Sequence, residues 1–508
     1  MGISKFLGWV KQTYPDSVSN IEYNFGNFFD HIYIDINVIL HRIIFISETE
    51  DELLSRLCTY IDNILKHVIP LKSITLASDG IAPFAKIILQ RERRQTYARN
   101  HKNNLPVINP LCFTPGTYFM ESLKYRLSEY IIKLKKIYKV DVTLLTEDKG
   151  EAELKLINMM VKNNININSN QITHCIYSSD ADIFVIIAAA NIENVTVHNG
   201  ANFLNIDKII SQHEKKLSFK NKIRLSISQD FAFTALLMGN DYLPKLAYTT
   251  VDNIWKSYIE TFNSLGTYII TEEINNHVIN TKFIIKMLQN IVIKLSKQWV
   301  SVFKLENFDI EIYKNYIFGI VWCFDSYKLG KCDKLDYMHS HSTTIHPLGL
   351  LYFFEFGYYD INDYKNNKNN NDYGIDNEIY ATLILPKCAR NLINYTKEID
   401  FNNIELVNKI SSLYDIENCN ICDEYHKILS DLNKMEDVDK TNITQNLKKY
   451  KQHNITSHKD ISIDVIIDLI NLMKKIQKPY KVQPIDKINH NPIKLIKPIQ
   501  KFKQVYLF

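Results

Sequence analysis

No apolar run in these 508 residues reaches the ~18 needed for a membrane span, and the first residues carry no secretory signal. Met1-Gly2 lacks the Ser or Thr that myristoylation wants at position 6, where Phe6 stands. Eight cysteines are scattered, most of them in apolar settings, which excludes a disulfide framework and points to a reduced, intracellular chain in cytoplasm or nucleus. Cys419 and Cys422 with His426 make half a zinc site, and without a second ligand pair no structural zinc is expected. There is also little excess charge. The net +4 predicts no strongly basic surface overall, yet it hides local asymmetry: Lys86 to Lys102 holds six Lys or Arg against one Glu, and Asn471 to the end holds nine Lys against one Asp.

What is present is ordinary in bulk, with 46% hydrophobic and 23% charged residues, enough for two to four domains with sizeable cores. Residues 1 to about 250 alternate short apolar runs with amphipathic stretches, the rhythm of a parallel α/β sheet with flanking helices. Met120 to Tyr138 reads as one long crossover helix. A second region, 251–400, turns mainly helical and contains an Asn-rich polar loop at 362–372; within it, Glu378 to Leu385 fits a strand or a helix equally. The third, 401–508, is read as a helical segment with a Lys-rich tail.

Acidic residues recur where hydrophobic runs meet turns. His31-Ile32-Tyr33-Ile34 leads into Asp35, Ser73 to Ala77 into Asp79, and His174 to Tyr177 into Asp180, so three carboxylates are expected at strand C-termini, the ligand-binding edge of an open α/β sheet. Glu151 and Glu153 open a helix after Lys149-Gly150, Asp182 follows Asp180, and Asp241 follows an apolar helix from Phe231 to Met238. Any one of these acids could be a turn former or helix cap. Together they would repel and take up protons unless a divalent cation were present, and Mg²⁺ or Mn²⁺ takes such oxygen ligands. Two such ions about 3.5–4 Å apart can activate a water and stabilise the leaving oxygen of a phosphodiester.

Lys86, Gln90, Arg93 and Arg94 fall at i, i+4, i+7 and i+8, so a helix would align them on one face suited to a terminal phosphate; a merely solvated basic helix is the bland alternative. His41, six residues after Asp35, could stack on a base, contact phosphate or serve structurally.

These motifs in this order resemble the XRN-type 5′-to-3′ exoribonucleases, relatives of the flap endonucleases. The match runs from Met1-Gly2-Ile3-Ser4-Lys5-Phe6 through Tyr33 to Asn37 with His41, Asp79 to Pro83, Gln90 to Arg94, Thr114-Pro115-Gly116-Thr117, Gly150 to Lys155, Tyr177 to Asp182 and Gly239 to Pro244. The resemblance covers about the first 250 residues and suggests a short, viral-type member, for which the host cytoplasm would be the working place. It implies a PIN-like core whose seven acids, Asp35, Asp79, Glu151, Glu153, Asp180, Asp182 and Asp241, bind two Mg²⁺, with Mn²⁺ as substitute. It further implies that Lys86, Gln90, Arg93 and Arg94 recognise a 5′-monophosphate, that His41 stacks on the first nucleotide, with Trp322 either its aromatic partner or, on at least equal grounds, a core residue, and that Pro83 helps exclude duplex. The implied substrate is single-stranded RNA, degraded to mononucleotides by a monomer without membrane contact.

The chain departs from the family pattern at Ala152 and Leu154, which replace a glycine and a histidine, and in a weakened second block around Tyr316, Gly319, Trp322 and Tyr327. A flap DNA endonuclease is the nearest rival, but Leu243 to Tyr248 lacks the glycines of a duplex-gripping helix-hairpin-helix. A non-catalytic RNA-binding protein would be expected to have lost acids, and all seven are present.

Overall fold

The computed structural model describes residue 3 and residues 6–20, 27–101, 106–147, 149–165, 172–219, 222–273, 276–332, 334–339, 345–360, 375–394, 398–399, 405–406 and 463–478. The 362–372 loop, Cys419, Cys422, His426 and the chain beyond 478 lie outside them. Among the described residues no helix is long and apolar enough to cross a membrane.

A seven-stranded sheet organises the N-terminal half. Its strands are β1 (Val18–Asn20), β2 (Asn27–Asp35), β3 (Val68–Ala77), β4 (Asp141–Leu145), β5 (His174–Tyr177), β6 (Val195–His198) and β7 (Asn202–Asn205), in the order β1-β7-β6-β5-β2-β3-β4. The pairings β2·β3, β2·β5, β3·β4 and β5·β6 are parallel, while β7 pairs antiparallel with β6 and β1. The α/β expectation therefore holds, with a two-strand antiparallel margin.

Both faces of the central strands are covered, which is why they read as continuous apolar runs. Ile32, Ile34, Ile74, Leu76, Cys175 and Tyr177 join one apolar cluster, whereas Tyr33, Ala77 and Ile176 join the other, in the alternation a pleated strand imposes. On the first face pack α2 (Ile36–Ile43), α3 (Glu50–His67) and α5 (Tyr118–Tyr138). On the second lie α6 (Ala152–Ile165) and α8 (Ile206–Glu214), and the same apolar cluster extends behind them through α1 (Phe6–Thr13), α7 (Asp182–Ala190), α9 (Arg224–Leu236), α10 (Val251–Leu265), α11 (Thr281–Ile293), α13 (Ile310–Leu329) and α14 (Pro347–Glu355). The short α12 (Lys297–Val302) buries no residue, and one hairpin, β8 (Ile270–Glu273) with β9 (Asn276–Ile279), interrupts this helical region.

The basic segment forms α4 (Phe84–Asn100) as its spacing predicts, with Pro83 before the first turn. Its apolar face, Phe84 and Ile87, packs on α15 (Asn377–Ile384) and α16 (Ile463–Ile476) through Ile379, Tyr380, Leu383, Ile466 and Leu469. The ambiguous stretch after residue 378 is thus a helix. Asp376 caps it by accepting from the Ile379 N–H, and burial of its apolar face settles a choice that local pattern left open.

Candidate active site

The sheet's C-terminal edge gathers the acids. In register, Ile34 lies beside Leu76 of β3 and Tyr177 of β5, so Asp35 ends its strand next to the turns carrying Asp79 and Asp180. Strand order reverses between β2 and β5, the switch point at which open α/β sheets form a crevice. A cavity of about 420 Å³ opens there, lined by Asp35, Asp79, Glu151, Glu153, Asp180 and Asp241 together with His41, Lys86, Gln90, Arg93 and Arg94. The acid set and the basic helix face, distinct features of the sequence, share one space.

Several carboxylates also do local work. Asp35 caps α2, accepting from the Asn37 N–H at 2.9 Å and the Val38 N–H at 3.3 Å. Asp79 accepts from the Ala152 N–H at 2.9 Å, which docks the start of α6 onto β3, and Asp180 accepts from the Ala181 N–H at 2.9 Å. Asp182 lies behind the cavity wall rather than on it. It accepts from the Ile3 N–H at 2.8 Å, so the N-terminal motif reaches back to brace the acid cluster.

Burial and mutual repulsion set the protonation of the cluster. Burial first, then Asp79 and Asp180, hold the Asp35 carboxyl well above the usual range; Glu153 is raised well above it by burial and by Asp35, Asp180, Asp79 and Glu151. Asp182 is pushed up to about 8 by burial and by Asp180 and Asp241. Asp241 runs the other way. Burial would raise it, but Lys86 and Arg93 outweigh that and hold it down at about 2.

Arg93 forks onto Asp241, with Nη2 at 2.9 Å and Nη1 at 3.4 Å, and Lys86 Nζ lies 3.1 Å from the same carboxylate while also pairing with Glu151. Burial would lower Lys86, but Glu151, Asp241 and Glu153 outweigh it and raise its ammonium well above the ordinary value. Among the described residues no three His, Cys, Asp or Glu side chains converge as ligands on one point, and Glu151 and Asp241 are met by these cations instead. A cluster of hard oxygen donors that draws a lysine inward, and in which Asp35, Glu153 and Asp182 are pushed toward protonation, has the chemistry to receive divalent cations.

The rest of the basic face points to the far end of the cavity. Arg94 Nε donates to Thr114 Oγ1 at 2.7 Å, and its Nη1 to both the backbone and side-chain oxygens of Gln90. The Thr114-Pro115-Gly116-Thr117 turn is fixed behind it: Gly116 has φ +95, and a Cβ there would overlap the Asn377 carbonyl at the start of α15. His41 stands on α2 with its ring edge-on to Phe113, centroids 5.2 Å apart. Crowding by the pocket walls lowers its pKa, with Arg93 and Arg94 adding to the effect against Asp79.

Two residues of the resemblance stand off the cavity lining. Trp322 does not partner His41. It is 4% exposed, packs against a tilted Tyr337 ring at 4.7 Å, meets Tyr242 edge-on at 5.4 Å, and donates to the Lys334 carbonyl, because α13 turns its aromatic face into the core. Pro83 is buried at the start of α4 with no face on the cavity.

The sequence reading also passed over residues that organise the site. The Tyr242 hydroxyl donates to Glu151, and Asn37 Oδ1 accepts from the Asp79 N–H at 3.0 Å. Asn240 accepts from the Tyr242 and Leu243 N–H groups and donates to Cys323 Sγ at 3.1 Å and the Tyr327 hydroxyl at 3.0 Å, so α13 holds the loop that presents Asp241. Each sits within a motif already singled out for its acids, and that adjacency was the available signal.

A family profile described as XRN 5'-3' exonuclease N-terminus matches residues 1–199. Among curated relatives, 5'-3' exoribonuclease 1 of Saccharomyces cerevisiae is 28% identical over 298 residues, covering 48% of this chain and 19% of that protein. The Schizosaccharomyces pombe protein of the same name is 27% identical over 369 residues, covering 62% and 26%, and the Homo sapiens one is 24% identical over 326 residues, covering 53% and 19%. The aligned part of this chain thus spans 19 to 26% of the length of these relatives. The solved catalytic core of Rad2 in complex with DNA substrate overlays 68% of this chain and 92% of that chain at 13% identity and a TM-score of 0.33, too loose to carry weight. Residues 1–199 of the chain are thus similar to the N-terminal part of the XRN 5'-3' exonucleases.

Proposed function

We propose that the chain is a Mg²⁺-dependent 5′-to-3′ exoribonuclease that hydrolyses 5′-monophosphorylated single-stranded RNA to mononucleotides. The observation that carries this reading is the shared cavity: carboxylates at the sheet edge and a basic helix face line one space about large enough for a nucleotide. The names of the relatives, 5'-3' exoribonuclease 1, agree with it.

Asp35, Asp79, Glu151, Glu153, Asp180, Asp182 and Asp241 would hold two Mg²⁺, or Mn²⁺ as substitute. Bound there, such ions supply an activated water and stabilisation of the leaving oxygen. The protein's own groups do the positioning. Gln90 and Arg94 hold each other in a fixed fork beside Thr114, a pre-organised seat for a terminal phosphate. Arg93 and Lys86 pair with Asp241 and Glu151, so they order those acids and would add positive charge where phosphate arrives. His41, held edge-on by Phe113, presents its ring for the first base. Tyr97, Pro110, Leu111 and Phe113 complete the lining around the basic face.

The test is Mg²⁺-dependent degradation of end-labelled RNA by Asp180→Ala and Asp241→Ala. Both should lose cleavage while retaining RNA binding, and near wild-type activity in either would remove the assignment.

A further inference from the structure

One cation on the cavity wall has no part in the reading above. Arg42, next to His41 on α2, lines the cavity yet touches none of the acids. Its guanidinium is instead pinned from three separate parts of the fold. Nη1 donates to the Tyr177 hydroxyl at 2.7 Å and the Tyr60 hydroxyl at 3.2 Å, and Nη2 donates to the Asn199 carbonyl at 2.9 Å. The two hydroxyls are 2.8 Å apart, and the guanidinium carbon lies 5.6 Å from the Tyr177 ring centroid. Gly200, at φ +95, leaves room for it: a Cβ there would overlap Nη1.

Such fixation is unusual for an exposed arginine, whose rotamers normally stay free in solution. Three of its five donors are used, leaving the Nε–H and one Nη2 hydrogen for a ligand. Beyond it α2 runs on as a 3₁₀ turn, Ile44–Ile46, that exposes Phe45 by 76% and Ile46 by 59%. Phe45 follows His41 by four residues and Arg42 by three, so helical geometry sets it on the same face, about 6 Å further along the axis. Val38, His41 and Arg42 line the cavity, and Phe45 continues the stripe outward.

We propose that this face of α2 is the track for the nucleotides that follow the first, with Arg42 holding an internal phosphate and Phe45 stacking on a base. The inference rests on the nucleic-acid reading of the cavity, and continuity with that cavity is what names the occupant. A planar donor fork beside an exposed aromatic ring is the combination that grips single strands without reading sequence.

Binding of 5′-phosphorylated oligoribonucleotides of two and ten residues, in EDTA, tests it. Arg42→Ala should weaken the decamer about tenfold, leave the dinucleotide within about twofold, and lower the salt slope of decamer binding by about 0.7, the value of one single-strand phosphate contact. Phe45→Ala should weaken the decamer alone, by about fivefold or more. Tyr60→Phe removes one strut but keeps the cation, and should bind like wild type. The track is overturned if Arg42→Ala weakens both lengths equally or leaves the salt slope unchanged, or if Tyr60→Phe reproduces its effect. Deoxyribonucleotide arms separate the two claims: a wild-type preference for DNA would sink the RNA reading while leaving the length dependence to judge the track.

Discussion

Arg94→Ala is the sharpest perturbation of end recognition, and the structure makes it a better choice than Arg93→Ala. Arg93 is forked onto Asp241, so its loss would disturb the acids as well as the phosphate seat. Arg94 touches only Gln90 and Thr114 in the interactions that define its position, and its removal empties the seat without unpairing a carboxylate. A charge-assisted hydrogen bond contributes about 1.5–3 kcal/mol, which converts to a roughly 10- to 150-fold loss in kcat/KM. That loss should appear with 5′-phosphorylated RNA, while 5′-hydroxyl RNA, which never had the contact, should change by less than about twofold. Initial rates on both substrates at saturating Mg²⁺, with thermal unfolding as a folding control, read the difference. Equal losses on the two ends would refute the reasoning, because they would place Arg94 in general binding or in stability.

Three further outcomes follow from named contacts. His213 is fully buried, accepts or donates at Tyr14 with Nδ1, stacks on Tyr258 and faces Lys216; burial lowers its pKa from 6.5 to about 3. In the window between those values the unfolded chain binds the extra proton, so stability falls as pH drops, by about 2 kcal/mol at pH 5; urea denaturation should show that the pH 7.5-to-5 loss shrinks by this amount in His213→Phe, and an unchanged loss would contradict it. Gly116→Ala, forced to φ +95 against the Asn377 carbonyl, should cost more than about 1 kcal/mol by the same assay, and a neutral result would show that the turn can shift freely. Tyr242→Phe removes the hydroxyl that orients Glu151, and should raise the Mg²⁺ needed for half-maximal activity by about tenfold; an unaltered requirement would separate Tyr242 from the metal site.

Much of this site could be read from local signals. Asp35, Asp79 and Asp180 were legible because a run of β-branched residues ending in an acid specifies both a strand and its C-terminal edge. The face of α4 was legible because helical spacing fixes which residues coincide. Contacts between distant segments were not. Nothing local in Ile3 announces that its N–H braces Asp182, 179 residues away, or that α15 closes the back of the turn at Gly116. Trp322 was open between a stacking role and a core role, and only the packing of α13, which turns its indole onto Tyr242 and Tyr337, decides for the core. The choice between strand and helix after residue 378 was likewise decided by burial against α4, a tertiary effect.

The central claim, metal-dependent removal of nucleotides from a phosphorylated RNA end, is tested most directly by following single-stranded RNA labelled in the base of its first nucleotide and bearing a 5′-monophosphate, hydroxyl or triphosphate, with and without Mg²⁺. Release of labelled mononucleotide as the first product, from the monophosphate substrate and only with Mg²⁺, is the predicted result. Internal cleavage products, or equal rates on all three ends, would contradict it.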